Sequence, residues 1–282
     1  MIEDPHRREA LFHSILVDRR NISVASRNAE KKLRTLLFQY GSFEGIFQSF
    51  YPKISIEDFL KINNLSSLEK KIERVPSFKL STVLNDTFPP YLKEALNLSP
   101  VLYYRGDFQL LQKKIIAVVG TRELYDELDK KEGINIVHRL LEKEYAIISG
   151  LARGCDTLAH RSTLEKNGKT LAVLGTSIEK YYPYENTSLQ EQIAQEGLIL
   201  SQYPLGLRSF PSYFAHRNLL MVSLASEGVV VIRADDKSGT QHAIKECLAQ
   251  NKSLYVLENN LHQGYCWTEK HRDRLKIPNR KS

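Results

Sequence analysis

The sequence predicts an α/β protein in which a small all-helical N-terminal domain precedes a doubly wound, mainly parallel sheet. Over residues 1 to about 75, apolar residues recur at helical spacing and no strand pattern is present. Beyond residue 100, continuous apolar runs alternate with amphipathic helical stretches, as they do where strands are buried on both faces. The chain of 282 residues is long enough for two domains, and we place their boundary after residue 78.

The N-terminal domain is predicted to contain four helices. Apolar positions around Leu11 and around Leu33 predict the first two, and Gly41-Ser42 ends the second. Ser55 ahead of an apolar pattern, and the segment 65–68, predict two more helices with polar caps. A compact helical domain therefore precedes the sheet.

A linking segment with Pro89-Pro90 and Ser99-Pro100 as rigid points leads to a short extended run at residues 101–104. Apolar runs then predict the strands of the sheet, at residues 115–119, 145–148, 170–174, 198–200, 228–232 and 253–257. Because helical stretches separate these runs, the connections predict parallel strands. After Leu257 we expect only a short basic tail.

The composition is that of a basic protein from a reducing compartment. A net charge of +7 would attract a polyanion and release its counterions. The three cysteines, Cys155, Cys247 and Cys266, lie far apart and form no C-x-x-C pair. With no apolar stretch of transmembrane length and no signal-peptide core, we expect a cytoplasmic protein that does not associate with membranes.

The residues that follow the predicted strands share a chemistry that suits phosphate groups. In an open parallel sheet the ligand lies beyond the carboxyl ends of the strands. There the sequence places glycines, which let backbone amides approach an anion, together with hydroxyl and cationic side chains. In any one such loop, glycine and hydroxyl residues more commonly form turns and helix caps. An isolated arginine is more commonly a solvated charge on the surface.

Two familiar nucleotide motifs are missing from these loops. The loop after the second run has Gly150 and Gly154 four residues apart and does not match G-x-G-x-x-G. No loop matches the P-loop pattern G-x-x-x-x-G-K-[ST]. NAD and ATP sites of these kinds are therefore disfavoured, and no cofactor is predicted.

Five segments occur in a recognisable order: 116–122 (IAVVGTR), 148–160 (ISGLARGCDTLAH), 170–175 (TLAVLG) with Tyr182-Pro183 and Asn186, 214–218 (FAHRN), and 238–240 (SGT). With a lead-in over residues 85–106, they make the chain resemble the DprA/Smf family over about residues 82–257. This resemblance implies a SAM-like helical domain over residues 1–78 and an extended Rossmann-like core over 79–282. It also implies a homodimer that binds incoming single-stranded DNA without catalysis, protects it and helps to load a RecA-type recombinase in natural transformation.

The resemblance, together with charge and position in the loops, selects the candidate DNA-binding residues. They are Gly120, Thr121, Arg122, Ser149, Gly150, Arg153, Arg217, Asn218, Lys237, Ser238, Gly239 and Thr240. Their cationic members suit phosphate binding that depends on salt and is largely blind to sequence.

The chain departs from the family pattern at several points. Leu219 replaces the family's second arginine in RNR, Gln202 replaces a glutamate, and Glu258-Asn259 replaces Pro-Gly. No winged-helix domain is expected after the core. The departures leave open whether the role is transformation, repair or defence. The apolar positions around Leu219 and Leu224 are a candidate dimer interface, although packing into the core is the more common role of such leucines.

Two other function classes are considered. A nucleoside-phosphate hydrolase would need a glutamate at short spacing after its glycine-rich loop, and residues 239–243 (GTQHA) have none. A nucleotide-sensing module would use the same glycine and hydroxyl loops.

Asp156 and His160, four residues apart, suit acid–base work, but a cap and a packed histidine are the more common roles. Cys155 beside them does not complete a zinc site, so no metal is predicted.

Overall fold

The computed structural model describes residues 2–278 and confirms the predicted α/β fold. The described residues form a nine-stranded sheet in the order β1-β2-β6-β5-β4-β3-β7-β8-β9. The strands are β1 (Lys79–Thr82), β2 (Val101–Gly106), β3 (Ile115–Val119), β4 (Ala146–Ser149), β5 (Thr170–Val173), β6 (Leu198–Ser201), β7 (Val229–Val231), β8 (Leu254–Val256) and β9 (Leu275–Lys276).

Helices connect and flank these strands. They are α1 (Pro5–Asp18), α2 (Arg27–Tyr40), α3 (Phe43–Phe50), α4 (Ile56–Ile62), α5 (Ser66–Glu73), α6 (Pro90–Glu94), α7 (Glu127–Glu142), α8 (Cys155–Glu165), α9 (Thr187–Glu196), α10 (Pro211–Leu224), α11 (Thr240–Ala249), α12 (Glu258–Leu261) and α13 (Cys266–Lys270). Short 3₁₀ turns occupy Phe108–Gln112, Tyr184–Asn186 and Arg272–Arg274. Within the described residues, no helix combines the length and apolar character that a membrane span requires.

The contacts divide the chain into two compact units. Of the described residues, the first unit contains 2–105, 175–180 and 200–213, and the second contains 106–174, 181–199 and 214–278. The boundary after residue 78 stays a prediction, and in this division β1 and nearly all of β2 cluster with the N-terminal helices. For example, the buried His13 ring of α1 forms a hydrogen bond of 2.7 Å through Nδ1 with the Tyr103 hydroxyl of β2.

Serine caps set the helix boundaries in the first unit. The hydroxyls of Ser26, Ser42 and Ser55 accept hydrogen bonds from main-chain N–H groups in the first turns of α2, α3 and α4. Gly41 ends α2 with a φ of 78°, a left-handed conformation that favours glycine. The helix α3 lies between Gly41 and Ser55, so this unit has one more helix before β1 than the four that the sequence predicted.

The second unit is built on parallel strands. Hydrogen bonding runs in parallel through β5, β4, β3, β7, β8 and β9. Every residue of β3 and β4 is buried, which explains their continuous apolar runs. The helices α7 and α8 pack on this sheet around Val118, Val137 and Ala159. Leu219, Leu220 and Leu224 of α10 are buried, as the core interpretation expected.

The segment after Leu257 is more ordered than the basic tail that the sequence predicted. It forms α12 and α13, and β9 pairs with β8 through Leu275 and Lys276. Two-residue pairings and short helices lack a periodic pattern long enough to recognise, which is why the sequence did not predict them. Residues 279–282 of the predicted tail lie outside the described residues.

Candidate nucleic-acid interface

The loops after β4, β3 and β7 meet at the carboxyl ends of these neighbouring strands, and we call this surface of the second unit the carboxyl edge. The Thr121 N–H donates to the Arg233 carbonyl at 2.7 Å and so ties the β3 loop to the β7 loop. The Cys155 N–H donates to the Thr121 carbonyl at 3.0 Å and so ties the β4 loop to the β3 loop. Three segments that are distant in sequence therefore form one surface.

Two glycines allow these loops to approach so closely. A Cβ on Gly120 would lie 2.3 Å from the Cys155 sulfur, and a Cβ on Gly154 would lie 2.3 Å from the Thr121 carbonyl oxygen. Gly154 also has a φ of +70°, which side chains rarely adopt. Burial raises the pKa of the Cys155 thiol, so this sulfur stays protonated and packs as an apolar group.

Three of the candidate cations are exposed on this surface. Arg122 follows β3, Arg153 lies in the loop after β4, and Lys237 lies in the loop after β7. Arg153 forms an exposed ion pair with Glu185. Because β4, β3 and β7 are adjacent in the sheet, the loops that carry these cations follow neighbouring strands, and we refer to Arg153, Arg122 and Lys237 in this strand order as the row of cations.

Arg217 has a different environment. Only 4% of this residue is exposed, and its Nη1 donates to the Gly150 carbonyl at 2.6 Å and to the Val173 carbonyl. Its Nε lies 3.2 Å from the Asn218 side-chain oxygen. The guanidinium therefore joins the end of β5 to the loop after β4. This burial excludes solvated surface charge for Arg217, whereas the predicted contact with DNA phosphate stays a prediction.

Other predicted site residues are buried with it. Ser149 donates from its hydroxyl to the Val118 carbonyl at 2.7 Å, and the Thr240 hydroxyl accepts from Ser238 at 2.9 Å. Gly150 and Asn218 are buried as well. The candidates that reach the surface, fully or in part, are Gly120, Thr121, Arg122, Arg153, Lys237, Ser238 and Gly239.

Asp156 and His160 have structural contacts. The Asp156 carboxylate accepts from the Ala152 N–H at 3.2 Å, and burial raises its pKa, although Arg217 and Arg122 act against this rise. His160 is buried and bonds through Nδ1 to the Thr170 hydroxyl at 2.7 Å. Burial and the nearby Arg217 charge lower the pKa of His160 to about 3. A buried neutral imidazole held against the sheet supports the structural interpretation of this pair.

The C-terminal segment holds the loop after β7 in place, which the sequence did not predict. The Asp236 carboxylate accepts from the N–H groups of Cys266 and Trp267 at 3.0 and 2.9 Å. These bonds lower the pKa of Asp236. The Trp267 indole N–H donates to the Ala234 carbonyl at 2.9 Å, and the Asn260 side-chain oxygen accepts from the Ala234 N–H at 2.8 Å. The lone tryptophan after the last predicted strand is the one sequence signal of this contact.

In the described part of the chain, no group of three or more His, Cys, Asp or Glu side chains is arranged to hold a metal ion. What the carboxyl edge offers instead is a row of cations, main-chain amides at glycines and two hydroxyl side chains. Such a surface suits an extended anion.

Several known proteins are similar to this chain in sequence. The family model described as DNA recombination-mediator protein A matches residues 79–271. DNA processing protein DprA of Streptococcus pneumoniae is 32% identical over 216 residues, covering 76% of this chain and 73% of that protein. Protein Smf of Synechocystis is 37% identical over 224 residues, covering 78% of this chain and 55% of that protein.

Two solved structures resemble this one. DprA of Streptococcus pneumoniae has a TM-score of 0.66 at 27% identity, covering 83% of this chain and 78% of its own. DNA processing protein A of Helicobacter pylori, which binds single-stranded DNA, has a TM-score of 0.61 at 31% identity. That match covers 70% of this chain and 90% of the other. Both sequence and fold therefore point to one family.

Proposed function

Because this chain belongs to the DNA recombination-mediator protein A family, we propose that its carboxyl edge binds single-stranded DNA. The observation that carries the proposal is the row of exposed cations, Arg153, Arg122 and Lys237, on adjacent loops. Neighbouring strands lie about 4.8 Å apart, so the ends of the three strands that these cations follow span roughly 10 Å. An extended chain of phosphates fits such a row better than a single small anion does.

The chemistry of this surface favours the DNA backbone over particular bases. Arg122 and Lys237 offer charge, Gly120 and Gly239 have no side chain that would shield their main-chain amides, and Ser238 adds a hydroxyl. Contacts to phosphate carry no sequence information and release counterions, so binding should weaken as salt rises. The Helicobacter pylori relative binds single-stranded DNA, which supports the same ligand here.

In this proposal Arg217 is a positioning residue. Its bonds to the carbonyls of Gly150 and Val173 fix the loop that carries Arg153. Ser149 and Asn218 are buried near the same loop and serve the same purpose. Substitution of these residues should weaken DNA binding through the fold, whereas substitution of Arg122 should weaken it directly.

The proposal is tested with labelled oligothymidylate at low salt, measured by fluorescence anisotropy. Arg122→Ala and Lys237→Ala should each weaken binding and reduce the slope of log K against log salt by about 0.7, the value for one phosphate contact on a single strand. Arg161→Ala, at an exposed arginine on α8, is the matched control and should bind like the parent protein. Absence of binding by the parent protein, or unchanged binding by both variants, would overturn the assignment.

We further propose that the protein is a homodimer that protects incoming single-stranded DNA and helps a RecA-type recombinase to load on it in natural transformation. The family's description as a recombination mediator supports this role. Sedimentation at micromolar concentration should give twice the monomer mass of 32.4 kDa. Addition of the protein should speed recombinase assembly on protein-coated single strands. A monomer that leaves assembly unchanged would contradict this part of the proposal.

The protein is proposed to act without covalent chemistry. Residues 239–243 lack the glutamate that a nucleoside-phosphate hydrolase places after its glycine-rich loop. Asp156 and His160 are buried, and their side chains are hydrogen-bonded to the Ala152 N–H and the Thr170 hydroxyl, respectively. Incubation with nucleoside monophosphates should therefore release no base. Steady release that scales with protein concentration would establish an enzyme instead.

A further inference from the structure

The two most exposed large hydrophobic side chains of residues 2–278 are both tyrosines of the second unit. Tyr184 is 83% exposed and Tyr125 is 77% exposed. Tyr125 lies in the loop after β3, and Tyr184 lies between β5 and α9. β4 lies between β3 and β5 in the sheet, so the segments that carry the two tyrosines follow the strands on either side of the one whose loop carries Arg153. Large exposed aromatic rings that share one surface indicate a binding site more than isolated ones do.

The main chain beside Tyr125 is firmly held. Leu124 is buried in the core that α7 and α8 form on the sheet. Asp126 caps α7, because its side-chain oxygen accepts from the N–H groups of Leu128 and Asp129 at 2.8 and 3.0 Å. The exposed ring therefore projects from an anchored position, so little conformational entropy would be lost when a ligand packs on it.

The main chain beside Tyr184 is anchored as well. The Thr187 hydroxyl donates to the Tyr184 carbonyl at 2.6 Å. The buried Asn186 side chain donates to the Leu151 carbonyl at 3.0 Å and to the Thr157 hydroxyl at 2.8 Å. These bonds fix the turn that carries Tyr184 against the loop after β4.

Each exposed tyrosine lies near an exposed cation. Arg122 precedes Tyr125 by three residues, and Arg153 pairs with Glu185, the residue next to Tyr184. We propose that Tyr125 and Tyr184 are stacking platforms for two unpaired bases, with Arg122 and Arg153 at the neighbouring phosphates. This inference rests on the proposed DNA binding and extends it from the backbone to the bases.

Two such platforms would explain a preference for single strands. In a duplex the base faces are covered by their neighbours, whereas an unpaired strand exposes a π-face at every base. Stacking on tyrosine is tolerant of sequence, so the site would choose between strand forms without choosing among bases. Tyr182 is not counted as a platform, because its ring already packs against Phe214 with centroids 5.2 Å apart.

The test compares an oligothymidylate with an abasic oligomer of the same length and charge. The full-length protein should bind the oligothymidylate more tightly, and Tyr125→Ala or Tyr184→Ala should each weaken that binding by about 5-fold to 100-fold. Tyr125→Phe and Tyr184→Phe keep the ring and should retain affinity. Phe38→Ala, at an exposed aromatic residue on α2, is the control and should change nothing. As a further control, circular dichroism melting should show that each variant is folded.

The results separate this inference from the proposed function. If the protein binds both oligomers equally and the alanine variants match the parent, the platforms do not exist while DNA binding stands. If the alanine variants lose affinity for both oligomers alike, the tyrosines do not act through bases, and the inference also fails. If the protein binds neither oligomer, the proposed function itself fails.

Discussion

Gly150 leaves the space that the Arg217 guanidinium occupies. A Cβ on Gly150 would lie 2.4 Å from both terminal nitrogens of Arg217. One of those nitrogens donates to the Gly150 carbonyl at 2.6 Å. The missing side chain and the buried cation are therefore parts of one arrangement, which holds the loop after β4 to the end of β5.

Gly150→Ala should lower the free energy of unfolding by about 2–4 kcal/mol, because the displaced Arg217 loses hydrogen bonds while its charge stays buried. Urea denaturation measures the change. Gly239→Ala is the control, since nothing lies within 4 Å of a Cβ there and the main chain is right-handed helical. That variant should stay within about 0.5 kcal/mol of the parent. Equal effects at the two glycines would contradict this role of Gly150.

We expect Glu185 to compete with DNA for Arg153. The two side chains form an exposed ion pair on the carboxyl edge, so a phosphate that binds Arg153 must displace the carboxylate. Glu185→Gln should strengthen binding of oligothymidylate a few-fold at low salt and less at high salt. Glu165→Gln, at an exposed glutamate near the end of α8, makes the same charge change away from this pair. If both variants bind oligothymidylate more tightly by the same factor, the net charge of the protein explains the gain and the ion pair has no specific role.

Glu30 makes stability depend on pH. Burial raises its pKa from 4.5 to about 7, although the Ala25 N–H bond and the Arg34 charge oppose the rise. Between these values the folded state keeps a proton that the unfolded chain has lost. The stabilisation that protonated Glu30 contributes is therefore fully present below pH 4.5, and it is lost as the pH rises through 7. At about 1.4 kcal/mol per pKa unit, the loss is up to about 3 kcal/mol.

Glu30→Gln removes this ionisation and should flatten the change in unfolding free energy between pH 5 and pH 8. The buried histidines also contribute to the pH profile, so the informative quantity is the difference between variant and parent across that range. Urea denaturation at both pH values measures it. Parallel profiles for the two proteins would show that Glu30 does not carry the dependence.

The three free cysteines should differ in reactivity. Cys266 is exposed, whereas Cys155 and Cys247 are buried. Burial raises the pKa of Cys247 to about 11 and also raises that of Cys155. At pH 8 a thiol reagent should modify one cysteine rapidly and the other two only after unfolding. Cys266→Ser should abolish the rapid phase, and a rapid phase that persists would place an accessible thiol elsewhere.

The sequence was most informative where burial is complete. Strands such as β3 and β4, buried on both faces, appear as unbroken apolar runs and were predicted within a residue or two. β1 was missed because its residues KLST carry no such run, and pairing with β2 is what makes it a strand. β1 is therefore defined by pairing with a strand that begins about twenty residues later, and not by a pattern of its own.

The same limit applies to the candidate site. Arg122, Arg153 and Lys237 each follow a recognisable strand, so the sequence was enough to assign them to loops at the carboxyl edge, and their contact with DNA stays a prediction. The burial of Arg217 could not be predicted, because its partners are main-chain carbonyls, which every sequence possesses. The exposure of the Tyr125 and Tyr184 rings could likewise not be predicted, because aromatic residues in loops are packed against the protein as often as they are exposed.

The central position of β3 has a consequence for synthesis on the ribosome. β3 pairs with β4, which follows within about thirty residues, but its other neighbour, β7, emerges more than a hundred residues after β3 ends. Until then one edge of β3 has no partner in the growing sheet, and the loop with Lys237 does not yet exist. The nascent chain can therefore complete the proposed DNA-binding surface only after β7 and the loop that follows it have been synthesised.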